Sequence, residues 1–213
     1  MDRNADENAI RGKALGKALT GGLCGLGAAL AFAAAAALAF NAAALGQAPV
    51  DRPALASALE DCESGARQGA ETGRALGACD VLMRSGDLDD AQRARVLVNR
   101  GLIAMDRGIV REGRADLEQA VRLDPDLAEA WLNLAAARIK AGAASEALDA
   151  ARRAGDLGAP TALARFNEAI ALEALGRYDA AYEAYTAAAD ADPANATLQA
   201  QPRRFRRHQA GDA

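Results

Sequence analysis

Histidine and aromatic residues are scarce in this chain of 213 residues, and its 25 basic residues are outnumbered by 29 acidic ones. The one histidine, His208, lies in the C-terminal tail, which excludes a His-based dyad, a triad or a zinc site. Aromatic residues make up 4%, and alanine and glycine are heavily used. This composition favours close-packed helices over a sheet. The net charge of −4 provides no electrostatic footprint for nucleic acid. We therefore predict an all-α protein without a nucleic-acid partner.

Other signatures of catalysis are missing as well. The glycines at 21, 22 and 25 lack the lysine of a phosphate-binding loop. Carboxylate pairs such as Asp89-Asp90 stand at predicted helix boundaries, where acids cap helices or face water. We predict no catalytic residue, no metal and no cofactor.

A long stretch near the N-terminus carries no charge. It runs from residue 18 to residue 50 and follows three basic residues. This layout, with small residues at 42–44, predicts a signal peptide over residues 1–48 and a periplasmic or secreted mature protein. The alternative is a retained inner-membrane anchor, since Leu19 to Leu45 is long enough to cross a bilayer. A membrane is a partner only in that case.

Export would leave Cys62 and Cys79 as the remaining cysteines. An even count in an oxidising compartment predicts a structural disulfide. It would join short helices near 54–63 and 71–84 within an N-terminal helical cap, residues 49–93, and stabilise it by ~3 kcal/mol. Two buried free thiols are the alternative. A redox or metal role is poorly supported, because the spacing is not C-x-x-C.

The rest of the chain repeats itself every 34 residues. Asn99, Asn133 and Asn167 fall in step, and glycine breaks occur at 108, 142 and 176. This period predicts three helix-turn-helix units over residues 94–127, 128–161 and 162–195, each covering the apolar face of its neighbour. Small residues recur where the two helices of a unit cross: Gly101, Ala135 and Ala169 in the first helices, and Gly113, Ala147 and Ala181 in the second.

These units resemble tetratricopeptide repeats. The clearest match is Gly176-Arg177-Tyr178-Asp179-Ala180-Ala181, followed by Tyr185, Ala188 and Asp192-Pro193. The resemblance implies a right-handed α-solenoid of about three repeats. The whole chain is similar to small exported tetratricopeptide proteins of Gram-negative bacteria. Cys62, Cys79, Asn99-Arg100-Gly101 and Arg204-Phe205-Arg206 stand where such proteins carry their cysteine pair, opening motif and tail.

The resemblance also implies a concave groove lined by the first helix of each unit. Three asparagines along such a groove suit the backbone of an extended peptide, with apolar residues taking its side chains. Alternatively, the asparagines bond across adjoining helices and touch no ligand. A carboxylate-binding clamp is not expected, because Val98, Leu102 and Leu163 occupy its places. The predicted lining is Arg95, Val98, Asn99, Leu102, Met105, Glu129, Leu132, Asn133, Ala136, Ile139, Leu163, Phe166, Asn167 and Ile170.

Residues 196–213 form a C-terminal cap and basic tail. Three interpretations stay open: an amphipathic cap with Phe205 covering the third unit, attraction to anionic lipid or a negatively charged partner, or a frayed end. From the whole sequence we predict a non-enzymatic adaptor of the cell envelope. Its groove would hold a peptide or helix of another protein. The alternative is an inner-membrane-anchored structural subunit that uses the repeats for self-association, so the chain is a possible homo-oligomer.

Overall fold

The computed structural model describes residues 52–68 and 72–211, and this part of the chain is built from α-helices. The predicted signal peptide, residues 1–48, lies outside the described residues. None of the described helices is both long and apolar enough to cross a membrane. In chain order the helices are α1 (Arg52–Gln68), α2 (Thr72–Ser85), α3 (Asp90–Asp106), α4 (Val110–Leu123), α5 (Ala128–Lys140), α6 (Ala144–Asp156), α7 (Thr161–Ala174), α8 (Tyr178–Ala191) and α9 (Ala196–Gly211).

The helices pair into four hairpins: α1 with α2, α3 with α4, α5 with α6 and α7 with α8. We call the first helix of each pair an A helix and the second a B helix. Each B helix also packs against the next A helix, so the hairpins form a continuous stack. The predicted units 94–127, 128–161 and 162–195 correspond to the last three hairpins, and the first hairpin lacks the 34-residue pattern.

Helix bounds differ most from the sequence-based expectation near the N-terminus. Helix α1 is longer than the predicted 54–63, and α3 begins at Asp90, four residues before the predicted unit 94–127. A capping box explains the early start of α3. The Asp89 carboxylate accepts from the Gln92 backbone N–H (2.7 Å), and the Gln92 side chain accepts from the Asp89 N–H (3.0 Å). Two of the unpaired donors at the helix start are thereby satisfied.

Glycine allows two pairs of helices, α1 with α2 and α3 with α4, to cross at short distance. A Cβ on Gly65 of α1 would lie 2.1 Å from the Ala75 Cβ of α2, and one on Gly113 would lie 2.8 Å from the Gly101 carbonyl oxygen. Larger side chains at these points would push the helices apart. In the second and third repeats alanine occupies the equivalent positions, Ala135 with Ala147 and Ala169 with Ala181. All four alanines are fully buried.

Helix α9 continues the repeat period. It begins 34 residues after the third unit does, and its buried Leu198 and Phe205 follow Ala164 and Ala171 at that spacing. Phe205 lies against Tyr178, Tyr182 and Tyr185 of α8, with ring centroids 5.6–6.4 Å apart. Where an A helix has its small crossing residue, α9 has Arg203. Helix α9 therefore occupies the place of an A helix, and no B helix packs on it within the described residues.

Candidate functional site

The A helices line the inner side of the array. Helices α1, α3 and α5 each contact the next A helix directly, whereas successive B helices contact each other far less. Closer approach on one side than on the other makes the stack curve around its A helices. We call the surface formed by α3, α5 and α7 on this side the hollow.

Eight of the predicted lining residues are packed inside the array. Their side chains contact neighbouring helices, so in this arrangement they do not reach a ligand in the hollow. They are Val98, Met105, Leu132, Asn133, Ala136, Leu163, Phe166 and Asn167. The other six retain exposed surface: Arg95 is exposed, and Asn99, Leu102, Glu129, Ile139 and Ile170 are half-buried.

The three repeated asparagines occupy three different environments. Asn167 is completely buried and its amide donates to the Leu132 carbonyl of α5 at 3.2 Å. Asn133 is 2% exposed, and neither its amide nitrogen nor its oxygen has a hydrogen-bond partner. Asn99 is half-buried. The cross-helix bond that was the alternative to ligand binding is thus present at Asn167.

Opposite charges face each other at the two ends of the α3–α5 contact. Burial raises the pKa of Glu129, and the positive charge of Arg95 partly offsets this. Burial also raises the pKa of Asp106, and Lys140 partly offsets that shift. Arg95 with Glu129 and Asp106 with Lys140 are each 34 residues apart. The sequence analysis missed Asp106 and Lys140, although the repeat period could have paired them.

The motif Asn99-Arg100-Gly101 has a structural role at its arginine. The Arg100 guanidinium donates to both Asp116 oxygens (2.8 and 2.6 Å) and to Asp80 (2.8 Å), which joins α2, α3 and α4. The hydrogen bond to Asp116 is the main reason that the pKa of Arg100 is raised. The arginine therefore fixes the first hairpin to the first repeat.

The third repeat places a charge of opposite sign at the same position. Glu168 accepts from Arg152 of α6 (2.9 Å) and Arg165 of its own helix (2.7 Å). In the second repeat the equivalent residue is the fully buried Leu134. This position consequently reaches the preceding B helix in every repeat, by ion pairs or by apolar contact.

Cys62 and Cys79 are fully buried and joined as a disulfide in the structure, with Cα atoms 5.0 Å apart. The bond links α1 to α2, close to the crossing of Gly65 and Ala75. Over residues 52–68 and 72–211, no three His, Cys, Asp or Glu side chains are grouped so that they could hold a metal ion.

Comparisons with known proteins agree with this architecture. Residues 162–195 match the tetratricopeptide repeat family model. Among curated proteins, none is significantly similar in sequence to this chain. The part of the chain that matches the family model is therefore the third repeat, where the sequence resemblance was clearest.

Several solved structures share the fold. A MamA structure, residues 41 to the end, from Desulfovibrio magneticus RS-1 superimposes with a TM-score of 0.64 at 17% identity, covering 76% of this chain and 88% of that one. The Arabidopsis OM64 TPR domain gives 0.53 at 22% identity, covering 56% and 98%. The first TPR of Spaghetti (RPAP3), bound to an HSP90 peptide, gives 0.53 at 21% identity, covering 57% and 97%. The described residues thus share the helical-array fold of these structures, and the match to the tetratricopeptide family model covers residues 162–195.

Proposed function

We propose that this protein is a non-enzymatic adaptor of the bacterial cell envelope that holds a helix of a partner protein in the hollow. Two features support a binding role: an inner surface formed by successive A helices, and a fold shared with a domain bound to an HSP90 peptide. The predicted signal peptide supports the envelope location, where Cys62 and Cys79 would remain oxidised.

The burial of the asparagines is the reason that we propose a partner helix rather than an extended peptide. An extended peptide needs hydrogen-bond partners for its backbone groups when it is buried. Asn133 and Asn167 are too deeply buried to supply them. An α-helix satisfies its own backbone and needs only apolar contacts for its buried face.

The accessible part of the hollow suits such a helix. Leu102, Ile139 and Ile170 are half-buried aliphatic residues, one on each of α3, α5 and α7. Packed helices lie ~10 Å apart. Two turns of a helix also span ~10 Å, so apolar residues at i and i+7 would meet successive A helices. Arg95, Glu129, Asp106 and Lys140 flank this apolar strip and can pair with charges of the partner.

Lysine substitutions in the hollow test the proposal. In Leu102→Lys and Ile139→Lys the side-chain stem keeps part of the packing while the ammonium enters the hollow. We expect these variants to lose the partner that co-purifies with the wild-type protein from envelope extract, measured by quantitative mass spectrometry. Val121→Lys is the matched control, since Val121 is a half-buried aliphatic residue of the B helix α4.

Melting temperatures of all three variants separate loss of binding from loss of folding. Equal loss of the partner in Val121→Lys and Ile139→Lys, at equal melting temperatures, would show that the hollow is not the binding site.

A further inference from the structure

Helix α9 presents an unusual face to solvent. Arg203, Arg204 and Arg206 are exposed there, and no later helix of the described residues covers them. None of them forms an ion pair with a carboxylate of the described residues. Exposed arginines without an ion pair also occur within the described array, such as Arg84 and Arg122, but they are isolated there. Helix α9 places three of them within four residues.

Only one of these arginines, Arg206, makes a contact that stabilises α9 against α8. The Arg206 guanidinium lies 4.6 Å from the Tyr182 ring centroid and donates to the Tyr182 hydroxyl. Arg203 and Arg204 lie in the middle of a helix that ends at Gly211. The favourable effect of the helix dipole on cations falls off beyond the last turn, so it does not explain them.

Exposed apolar groups adjoin the arginines. The turn between α7 and α8 exposes Leu175 (38%) and Tyr178 (47%), with the exposed Arg177 between them. The Tyr178 ring is 6.3 Å from the Phe205 ring, which places this turn beside the arginines that flank Phe205. We call this surface the basic corner: Leu175, Arg177, Tyr178, Arg203, Arg204 and Arg206.

We propose that the basic corner docks on the surface of an anionic lipid bilayer. Each arginine near such a surface adds ~1 kcal/mol of attraction. Tyrosine favours the membrane–water interface, because its ring is apolar and its hydroxyl is polar. The corner carries four arginines, and the two exposed acids of α8, Asp179 and Glu183, form no ion pair with them.

The shape of the corner favours a bilayer over an acidic protein. A turn and the outer face of a terminal helix form a projecting surface, which meets a flat layer of headgroups more readily than it encloses a peptide. The choice of a membrane also rests on the proposed envelope location. Binding of a partner helix in the hollow does not depend on it, so the two proposals fail separately.

Amide hydrogen exchange of the full chain tests the docking. The exchange of residues 173–178 and 196–206 is compared on phosphatidylcholine vesicles and on vesicles with added phosphatidylglycerol. Attachment through residues 1–51 would act equally on the wild type, the corner variant and the control, so the comparison between variants isolates the corner. The variant is Arg203→Gln with Arg204→Gln. The matched control is Arg84→Gln with Arg122→Gln, two exposed arginines elsewhere in the array.

We expect anionic vesicles, and not neutral ones, to slow exchange in these two segments of the wild type and the control. In the corner variant, the lipid concentration for half-maximal slowing should rise roughly thirty-fold, about five-fold for each arginine. High salt should reverse the slowing.

Equal exchange on both vesicle types, or unchanged slowing in the corner variant, would overturn the proposal. So would slowing by polyglutamate in the absence of slowing by anionic vesicles, which would indicate an acidic protein instead.

Discussion

Each A helix after α1 buries two residues, seven apart, against the preceding hairpin, and at these two positions the side chains are larger at the ends of the array than inside it. Inside the array both are alanine: Ala130 and Ala137 on α5, and Ala164 and Ala171 on α7. At the ends they are large: Val96 and Ile103 on α3, and Leu198 and Phe205 on α9.

This difference shows how a short array can end. Inner repeats approach closely through alanine and gain dispersion contacts over their whole length. A terminal element has a neighbour on one side only and needs more stabilisation per contact. At the N-terminal end a disulfide and the close crossing at Gly65 add to Val96 and Ile103. At the C-terminal end an aromatic cluster around Phe205 performs the same task.

Truncating the C-terminal aromatic group should have the largest effect. Phe205 is 7% exposed, and Phe205→Ala removes its contacts with three tyrosines. We expect a loss of ~3 kcal/mol or more in the free energy of unfolding, measured by urea denaturation. Arg203→Ala, an exposed change on the same helix, should stay within ~0.5 kcal/mol. A loss below ~1 kcal/mol for Phe205→Ala would mean that α9 contributes little to the fold.

Loss of the disulfide at the N-terminal end should have the second-largest effect on stability. Replacing Cys62 and Cys79 by serine should cost ~3 kcal/mol, since the bond closes a loop with a sequence separation of 17. A reducing agent should lower the stability of the wild type by a similar amount. The serine variant is the control for the reductant, which should leave its unfolding curve unchanged. If reductant left the wild-type unfolding curve unaltered, the two cysteines would be free thiols.

A single methyl group at the first crossing should cost less. Gly65→Ala places a Cβ against that of Ala75, and overpacking of this kind costs ~1–3 kcal/mol. Gly77→Ala is the matched control in α2, because a Cβ there meets nothing within 4 Å. That change should stabilise the helix by ~0.5–1 kcal/mol. Thermal unfolding should therefore shift in opposite directions for the two variants, and a shift in the same direction would contradict the close crossing.

Alanine substitutions of the two buried asparagines compare the stability that each side chain contributes at the inner junctions. Asn167→Ala removes the bond to the Leu132 carbonyl and should cost ~1–2 kcal/mol. Asn133→Ala removes an amide without a hydrogen-bond partner, so its cost should be smaller. Equal costs, measured by urea denaturation, would show that Asn133 has a partner in solution. Loss of partner capture at unchanged stability would instead favour direct contact between Asn133 and the ligand.

The smallest effect concerns pH at the α3–α5 junction. Because burial raises the folded-state pKa of Glu129 above its unfolded value, folding favours the protonated form. Its contribution to stability is full below about pH 4.5 and is lost as pH rises through the folded pKa. We expect Glu129→Gln to lose less stability than the wild type between pH 4 and pH 7. Parallel pH profiles would contradict the burial of this carboxyl group.

The sequence period predicted the hairpins of the last three units, because proline and glycine mark their ends and small residues mark their crossings. The depth of packing was not predictable from the period. The resemblance to tetratricopeptide repeats placed Leu132, Asn133 and Asn167 on the inner side, but alanine-rich junctions bring the A helices so close that neighbours cover them. The crossing of Gly65 with Ala75 gave no signal, since α1 and α2 lie outside the repeat pattern. The capping box of Asp89 and Gln92 was a readable signal for the start of α3.

The proposed binding mode is tested most directly by site-specific crosslinking in cells. A photo-crosslinking amino acid is placed at Ile139 in the hollow and, in a second variant, at Val121 on α4. We predict that the Ile139 variant crosslinks to one partner protein, and that the crosslinked partner residues recur at intervals of three, four or seven, as on one face of a helix. A partner crosslinked from Val121 but not from Ile139, or crosslinks at alternate residues of an extended segment, would contradict the account.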